Sequence, residues 1–515
     1  MTQQFTRKSN ILSLLVPLFL IPLTNAITIT PADKSSICDA IPPLIEGTLD
    51  YYNFSNPGIF QPPYYWWESG EAIGSLLGSY FYCGNDTLGE IIYNAIINQQ
   101  GEKGDFMPSD QNATEGNDDQ GFWGITILDA LEKDFPLNFS ISDHTETNPC
   151  DSHADNADTK ISWLTFASRI HDTMLDRWDT STCGGGLKWQ IFPGNTGYTY
   201  KNAISNACLF HIAARLYRFT GNDTYLDTAT LVWDWLYRDE MGLVQYHEDS
   251  NSYTIYDGFG TESNCTSVSV SDWSYNYGLM MSGAAYLYNA TETETTETTT
   301  TSDTTNSPNW GETLERFYNS IPLFVNSTND IIFEKRCVER KKCNNDQRSF
   351  KSIYSRTLAL TAKLAPEYTD EIYNILHESA LGAAKSCTGG TDNHTCGMDW
   401  ELGRWDGWYG LGEQMSALEV IQNTLFEQYP GPLTKDQVSD DDKDYEDQEN
   451  VSSACFQSLF FFLVFFFFGY CFRFQFRWLW FKFHCSFFIK VKGRCFKVVD
   501  WVMGCFVQFV VMLLY

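Results

Sequence analysis

The feature that most constrains the fold is a recurring unit of two amphipathic helices joined by a short turn. Residues 79–88 and 216–225 share the same order: a helix end, a Gly-Asn-Asp-Thr turn and a new helix start. The Asp or Thr of the turn is expected to cap the second helix. Further pairs are predicted over 119–180, 272–325, 354–386 and 404–427. Six or so such hairpins predict an all-α fold, a toroid of the (α/α) type.

Three polar segments are predicted to lie outside the core of this domain, which spans residues 27–433. They are the acidic loop 143–160, the Thr/Glu-rich insertion 291–308 and the acidic linker 434–450. Each contains too little apolar surface to be buried. Strand-like alternation is weak, and the best candidate for a β-hairpin is residues 187–200.

The N-terminus has the pattern of a secretory signal peptide. A short basic segment precedes an apolar run over residues 11–23, and Thr24-Asn25-Ala26 supplies small residues for cleavage. We therefore assign residues 1–26 to a signal peptide and expect the mature chain to begin near Ile27. Ten Asn-X-Ser/Thr glycosylation acceptors also indicate an exported chain. The acceptors are Asn53, Asn85, Asn112, Asn138, Asn222, Asn264, Asn289, Asn326, Asn393 and Asn450.

Cysteine usage also indicates an oxidising compartment. Residues 27–450 contain ten cysteines, an even number, and all ten are expected to be paired. The close pairs Cys337/Cys343 and Cys387/Cys396 are expected to form small disulfide loops. Neither spacing is that of a zinc site and no His-Glu-X-X-His occurs, so we predict no metal and no cofactor.

The C-terminal tail, residues 451–515, has a different composition, with eighteen Phe, five Cys and seven Lys/Arg. Residues 456–472 are a candidate for the apolar part of a glycosylphosphatidylinositol (GPI) anchor signal, with Asn450 or residues 452–454 at the attachment site. A transmembrane segment with a basic flank and a gene-model artefact are the alternatives. An anchor signal predicts that the protein passes through the secretory pathway to the outer face of the plasma membrane.

Charge excludes one class of partner. Residues 1–450 hold 27 Lys/Arg against 64 Asp/Glu, a net charge of −37. Such a surface repels phosphates, so nucleic acid is not an expected partner. A neutral or cationic glycan meets no such repulsion.

The strongest chemical signal is residues 117–124, Asn-Asp-Asp-Gln-Gly-Phe-Trp-Gly. Cleaving a glycosidic bond requires one carboxylic acid to protonate the leaving oxygen and one carboxylate to meet the oxocarbenium-like carbon, while aromatic rings hold the apolar face of the sugar. Adjacent acids more often only mark a solvated helix start, as at 440–442. Asp118 and Asp119 instead stand among aromatics where a loop enters an apolar helix, which favours catalysis.

The spacing of this pair favours one mechanism. Neighbouring Cα atoms lie about 3.8 Å apart, which suits the ~5–5.5 Å carboxyl separation of a retaining glycosidase better than the wider gap of an inverting one. Two close carboxylates also raise each other's pKa, so one keeps a proton while the other is ionised.

Candidate sugar-binding residues surround the pair in the sequence. For the tryptophans the alternative is a core position, and for the Lys and Asn residues it is helix capping or turn formation. The glycine run 184–186 lacks the pattern of a phosphate loop and is expected to let the backbone approach the glycan. The candidates are Trp66, Trp67, Gln120, Trp123, Trp189, Lys201, Asn202, Asn206 and Trp405.

Five motifs together resemble glycoside hydrolase family 76, in its fungal cell-wall branch of mannan endo-1,6-α-mannosidases. The resemblance covers about residues 35–425. It implies an (α/α)6 barrel, a GPI-anchored secreted enzyme and a retaining mechanism with Asp118 as nucleophile and Asp119 as acid/base. The motifs are YWWESGEA at 65–72, NDDQGFWG at 117–124, CGGGLKW at 183–189, KNAISN at 201–206 and GRW at 403–405.

The predicted function is therefore that of a retaining endo-α-1,6-mannosidase or mannosyl transglycosylase, acting on α-1,6-mannan or on a GPI-anchor glycan. The two reactions share one site because the base activates either water or a sugar hydroxyl, for example of a β-glucan acceptor. The alternative is a non-catalytic carbohydrate-binding or structural wall protein on the same toroid, against which the intact Asp118-Asp119 pair argues. A calcium-binding surface protein is disfavoured because no Asp-X-Asp-X-Asp-Gly loop occurs.

Overall fold

The computed structural model describes residues 27–137, 162–238, 242–263, 265–297, 308–391 and 393–439, with the backbone alone for 292–297, 486–491 and 494–500. The predicted signal peptide, the acidic loop 143–160, most of the acidic linker and the apolar segment 456–472 lie outside these residues. Of the insertion 291–308, residues 298–307 also lie outside them. The chain divides into two units, 1–445 and 446–515.

The first unit is built from helices. Its described residues contain thirteen α-helices: α1 (Lys34–Ala40), α2 (Pro42–Leu49), α3 (Trp66–Cys83), α4 (Thr87–Gln99), α5 (Asn117–Glu132), α6 (Trp163–Leu175), α7 (Ala203–Thr220), α8 (Asp223–Leu236), α9 (Ser274–Glu297), α10 (Trp310–Tyr318), α11 (Asn345–Leu364), α12 (Thr369–Ser386) and α13 (Leu411–Gln422). Within the described part of the chain, no helix is long and apolar enough to cross a membrane.

Six of these helices form a closed inner ring, which confirms the (α/α)6 barrel. Helices α3, α5, α7, α9, α11 and α13 contact one another in this order, and α13 returns to α3. Helices α4, α6, α8, α10 and α12 each pack outside the inner helix that precedes them. Inner helices are buried on nearly every side, as in α13, where all twelve residues are buried. The outer helix α10 buries only one stripe, consisting of Trp310, Thr313, Leu314 and Phe317.

The sixth pair of the ring is not local, which corrects the hairpin predicted over 404–427. Residues 404–410 form no helix, and the outer partners of α13 are α1 and α2 from the start of the chain. This packing is close: a Cβ atom on Gly47 of α2 would lie 2.6 Å from Nε2 of Gln414 on α13. The Cys38–Cys83 disulfide joins α1 to the end of α3. Periodicity reveals neighbouring pairs, but it carries no signal for a partner 370 residues away along the chain.

The Gly-Asn-Asp-Thr turns end helices as predicted, although the capping residue differs. Gly84 and Gly221 follow α3 and α7 in the left-handed conformation, with φ of 65° and 70°. At the second turn the side chain of Asn222 accepts a hydrogen bond from the Thr224 N–H at 3.1 Å. At this second turn the expected Asp or Thr cap is therefore wrong, and Asn222 has that role. At the first turn Asp86 occupies the N-cap position of α4, as expected, but its side chain makes no capping hydrogen bond.

Short strands lie in the connections between helices of the barrel. They are β1 (Tyr200–Asn202), β2 (Val244–His247), β3 (Ser252–Ile255), β4 (Gly258–Gly260) and β5 (Val268–Ser269). The sheet order is β1-β4-β5, all antiparallel, and β2 pairs with β3. In the second unit, β6 (Ser486–Val491) and β7 (Arg494–Asp500) form an antiparallel pair.

The β-hairpin predicted over 187–200 is wrong. Only Tyr200 belongs to a strand, and the rest of the segment is loop. Its backbone is bonded partly to residues at and just before the start of α5: the Asn117 N–H donates to the Trp189 carbonyl at 2.8 Å, and the Ile191 N–H donates to the Glu115 carbonyl at 3.2 Å. One hydrogen bond joins the two ends of the segment, from the Trp189 N–H to the Tyr200 carbonyl at 2.7 Å, but a distant segment supplies further partners that a hairpin would take from within itself.

The cysteine predictions are confirmed in part. Disulfides join Cys337 to Cys343 and Cys387 to Cys396, as expected, and a further one joins Cys183 to Cys265. Among the described residues, however, Cys208 is a free and fully buried thiol, so the expectation that all ten cysteines pair is wrong. Cys150, the tenth cysteine, lies outside the described residues. Cys208 lies where α7 meets α5, opposite Gly121, and there its packing against a neighbouring helix leaves it no cysteine partner.

Candidate active site

The inner helices α3, α5, α7, α9 and α11 begin around one cavity of about 510 Å³. Residues at or just before the first turn of each of them line it, and so do residues of the loop 189–196. The positive ends of the helix dipoles therefore converge on the cavity, which stabilises carboxylates there. Among the lining residues are Trp66 and Trp67 of α3, Asp118, Asp119 and Phe122 of α5, Asn202 before α7, Tyr275 of α9, and Asp346 and Gln347 of α11.

Asp118 and Asp119 are held by different partners. Asp118 Oδ1 accepts the Asp119 N–H at 3.1 Å, and Asp118 Oδ2 accepts a hydrogen bond from Asn202 Nδ2 at 3.2 Å. Asp119 Oδ2 accepts the Gly116 N–H at 2.5 Å. Gly116 has no room for a side chain, because a Cβ atom there would collide with the Asp118 carboxylate and lie 3.0 Å from the Trp189 carbonyl oxygen. The pair is thus fixed at the first turn of α5, both carboxyls on one wall.

The electrostatics separate the two carboxyls. Burial raises the pKa of Asp118 to about 7, against the lowering effect of the Asn202 amide. Burial and then the charge of Asp118 raise the pKa of Asp119 well above its usual value, and Asp346 across the cavity adds to this. Asp118 therefore ionises first, and Asp119 keeps its proton. These are the states that a nucleophile and a general acid require.

A partly buried cation, Arg177, holds the start of α5 in place. Arg177 donates from Nε to Asn117 Oδ1 at 2.8 Å and from Nη2 to Gln120 Oε1. Gln120 in turn donates from Nε2 to the Asp105 carbonyl at 2.6 Å. Residues on both sides of Asp118 and Asp119 are therefore bonded to the rest of the barrel, which leaves the carboxylates little freedom.

Four of the nine predicted sugar-binding residues line the cavity: Trp66, Trp67, Trp189 and Asn202. Trp67 packs against Phe122, with ring centroids 4.8 Å apart, and its Nε1 donates to Asp346 Oδ1 at 3.1 Å. Trp189 is 37% exposed, so its ring offers an apolar surface to a ligand.

The other five, Gln120, Trp123, Lys201, Asn206 and Trp405, are not among the residues that line the cavity, so a sugar contact at these five positions stays a prediction. Trp123 is fully buried and its ring packs 5.5 Å from that of Trp66. Gln120 is buried in the Arg177 cluster. Trp405 donates from Nε1 to the Trp408 carbonyl at 2.5 Å.

Lys201 and Asn206 support the loop that precedes the cavity wall. Lys201 Nζ donates to three carbonyls, of Asp179 at 2.6 Å, Thr182 at 2.9 Å and Gly185 at 2.7 Å. Asn206 Oδ1 accepts the Leu187 N–H at 2.9 Å, and Asn206 Nδ2 donates to the Leu187 carbonyl at 3.2 Å. Gly185 and Gly186 lie against Trp235, where a Cβ on Gly186 would clash, and no residue of the run 184–186 lines the cavity. Its expected approach to the glycan is therefore wrong.

Sequence reasoning missed several polar residues of the cavity. Asp346 lies at the start of α11, beyond the Asn344 cap, and burial raises its pKa. Asp257 accepts a hydrogen bond from the Tyr200 hydroxyl at 2.6 Å. A capping pattern at 344–347 marks a helix start but does not reveal that this start faces α5. Among the residues described, no group of three or more His, Cys, Asp or Glu is arranged to hold a metal ion.

Comparison with known proteins agrees with this geometry. The model of glycosyl hydrolase family 76 matches residues 36–145 and 150–436. Mannan endo-1,6-alpha-mannosidase DFG5 of Saccharomyces cerevisiae is 44% identical over 417 residues, covering 80% of this chain and 83% of that protein. DCW1 of the same yeast, which carries the same enzyme name, is 42% identical over 430 residues, covering 83% and 87%.

Solved structures show the same fold. Dfg5 from Chaetomium thermophilum in complex with glucosamine matches with a TM-score of 0.68 and 31% identity, covering 80% of this chain and 97% of that one. The alpha-1,6-mannanase of Salegentibacter matches with a TM-score of 0.54 and 16% identity, covering 76% and 99%, a likeness of fold alone. With the family model matched over most of its length, the chain belongs to glycosyl hydrolase family 76 and is a glycoside hydrolase.

Proposed function

We propose that the protein is an endo-α-1,6-mannosidase that cleaves with retention of anomeric configuration. The observation that carries this proposal is the pair Asp118 and Asp119 on one wall of the cavity, with the Asn202 amide favouring charge on the first and the charge of the first holding the proton on the second. The enzyme names of the yeast relatives support α-1,6-mannan as the substrate.

In this mechanism Asp118 attacks the anomeric carbon while Asp119 gives its proton to the departing glycosidic oxygen. A glycosyl ester on Asp118 results, and the negative charge beside Asp119 disappears. The pKa of Asp119 then matches its second task, which is to take a proton from the incoming hydroxyl. That hydroxyl attacks the anomeric carbon, the ester bond to Asp118 breaks, and the product has the original configuration.

The incoming hydroxyl decides between two outcomes. Water gives hydrolysis, and a sugar hydroxyl, such as that of a wall β-glucan, gives transfer. The complex of the Chaetomium relative with glucosamine supports a substrate that includes an amino sugar, such as a GPI-anchor glycan. We propose that the protein works on the outer face of the plasma membrane or in the wall, held by a C-terminal anchor. The predicted signal peptide and the glycosylation acceptors support this location.

The test is proton NMR of the secreted protein with α-1,6-mannotetraose, recorded before mutarotation. We expect the α-anomer first, and transfer products when a β-glucan oligosaccharide is added. Asp118→Asn and Asp119→Asn each remove one half of the cycle and should lower turnover by at least about a thousandfold, with melting temperatures near wild type. Asp39→Asn, a change of an exposed aspartate on α1, is the matched control.

Two results would contradict the proposal. An initial β-anomer would mean that a more distant carboxylate activates water, and the role of Asp118 would have to be withdrawn. Binding of the oligosaccharide without any product would favour the alternative of a non-catalytic wall protein.

A further inference from the structure

Glu115 is a cavity residue that the catalytic cycle above does not use. It lies immediately before Gly116, whose N–H holds Asp119, and it is one of the residues that line the cavity. Its backbone is fixed on both sides: the Glu115 N–H donates to the Gln111 carbonyl at 3.0 Å, and its carbonyl accepts the Ile191 N–H at 3.2 Å. The position of the side chain is therefore set by the same contacts that order the cavity wall.

Among the residues that the structure describes, the carboxyl of Glu115 has no hydrogen-bond partner. The residue is 1% exposed, and both Oε1 and Oε2 are buried without a bonded group. The nearest cation does not satisfy it, since Arg177 gives its hydrogen bonds to Asn117, Gln120 and the Met107 sulfur. Buried carboxyl oxygens without partners are rare and costly in native proteins. A group that enters the cavity can supply the missing partners.

The protonation state of Glu115 indicates which kind of group this is. Burial raises its pKa to about 8, although Arg177 lowers it. Below about pH 8 the side chain is therefore a neutral carboxylic acid with one O–H donor and one carbonyl acceptor. One donor and one acceptor complement two neighbouring hydroxyls of an uncharged sugar ring, of which one accepts the hydrogen bond from the Glu115 O–H and the other donates to the Glu115 carbonyl oxygen.

The surroundings of Glu115 suit a sugar ring. Trp189 and Gln190 follow one another on the adjacent loop, and both line the cavity. The half-exposed Trp189 ring can carry the apolar face of a pyranose. Gln190 is oriented by Asn195, whose Nδ2 donates to Gln190 Oε1 at 2.9 Å.

Glu115 precedes Gly116, whose N–H holds the proposed general acid Asp119, and this position points to the sugar that it meets. The general acid contacts the glycosidic oxygen, so the ring next to it on the side away from the nucleophile is the one that leaves. We infer that Glu115 binds two adjacent hydroxyls of the leaving-group mannose, and that the same contact later receives the acceptor sugar in transfer. This inference rests on the proposed retaining mechanism.

Two substrates separate this role from a general effect on the enzyme. α-1,6-Mannotetraose needs its leaving sugar bound, whereas α-1,6-mannobiosyl fluoride releases fluoride with no leaving sugar and no proton. For Glu115→Ala in the full-length secreted protein, we expect kcat/KM on mannotetraose to fall roughly 10- to 100-fold. Fluoride release should change by less than about threefold. Glu115→Gln keeps one donor and one acceptor and should stay within about fivefold of wild type on both substrates.

Each other result has a definite meaning. Equal losses on both substrates, or no loss on either, would overturn the role of Glu115. A Glu115→Gln variant as impaired as Glu115→Ala would also overturn it, because a charged carboxylate and a cationic ligand would then be required. If the wild-type protein releases neither fluoride nor sugar, the proposed function itself fails. Glu90→Ala, a change of an exposed glutamate on α4, serves as the control, with the melting temperature of each variant measured alongside.

Discussion

Replacing Asn202 by Ala should shift the pH profile of the reaction. Asn202 Nδ2 donates to Asp118 Oδ2 at 3.2 Å, and the two residues are 5% and 8% exposed. A hydrogen bond to a buried charged group contributes about 1.5–3 kcal/mol, and 1.36 kcal/mol corresponds to about one pKa unit. Loss of the amide should therefore raise the pKa of Asp118, already raised to about 7 by burial, by roughly one to two further units.

The sign of the effect follows from the role proposed for Asp118. A nucleophile must be ionised to attack, so a higher pKa of Asp118 requires a higher pH, and the acidic limb of kcat/KM should move upward by the same one to two units. The apparent pKa of this limb belongs to the coupled pair of Asp118 and Asp119. Because Asp119 keeps its hydrogen bond from the Gly116 N–H, the pKa of Asp119 should move less than that of Asp118. Initial rates of mannobiosyl fluoride release from pH 4 to 9 would measure the shift without the need for acid catalysis.

A control separates this effect from lost stability. Asn202 also caps α7, accepting the Ser205 N–H at 3.3 Å, so its removal should cost about 1 kcal/mol of unfolding free energy. Asn309→Ala removes a comparable cap from α10, where Asn309 Oδ1 accepts the Glu312 N–H at 3.1 Å. Asn309 does not line the cavity. Both variants should lose similar stability, but only Asn202→Ala should shift the limb. An unshifted limb, or the same shift in both, would refute the reasoning.

Two further predictions concern the barrel. Arg356→Met should cost about 3–5 kcal/mol of unfolding free energy at pH 8, because it leaves the buried carboxylates of Glu71 and Glu419 without their cation. Burial raises the pKa of Glu71 to about 7, above its unfolded value, so protonation of Glu71 stabilises the native state at low pH, and this contribution is lost as pH rises through about 7. Urea unfolding should therefore show a smaller cost of Arg356→Met at pH 5 than at pH 8. Equal costs at the two pH values would contradict this prediction. Cys208 should resist thiol labelling in the native protein and should react once the protein is unfolded without a reducing agent, as peptide mass spectrometry would show. Recovery of Cys208 in a disulfide-linked peptide would contradict the prediction that its thiol is free.

The sequence by itself determined the local features of this protein. The helix ends at Gly84 and Gly221 and the disulfide loop Cys337–Cys343 depend on a few adjacent residues, so their patterns can be read directly. The adjacent acids Asp118 and Asp119 were found for the same reason, since both catalytic candidates lie within one turn of one helix.

Only the tertiary structure decided what these local features face. Asp346 meets the pair across the cavity from 227 residues further along the chain, because the inner helices close into a ring and bring their first turns together. The direction of a long polar side chain could not be predicted from the sequence either. Lys201 points away from the cavity because three carbonyls of the preceding loop provide the buried ammonium with partners. Spacing along a chain determines neighbours on one helix, whereas burial and hydrogen-bond satisfaction across the barrel decide which polar groups remain free to meet a sugar.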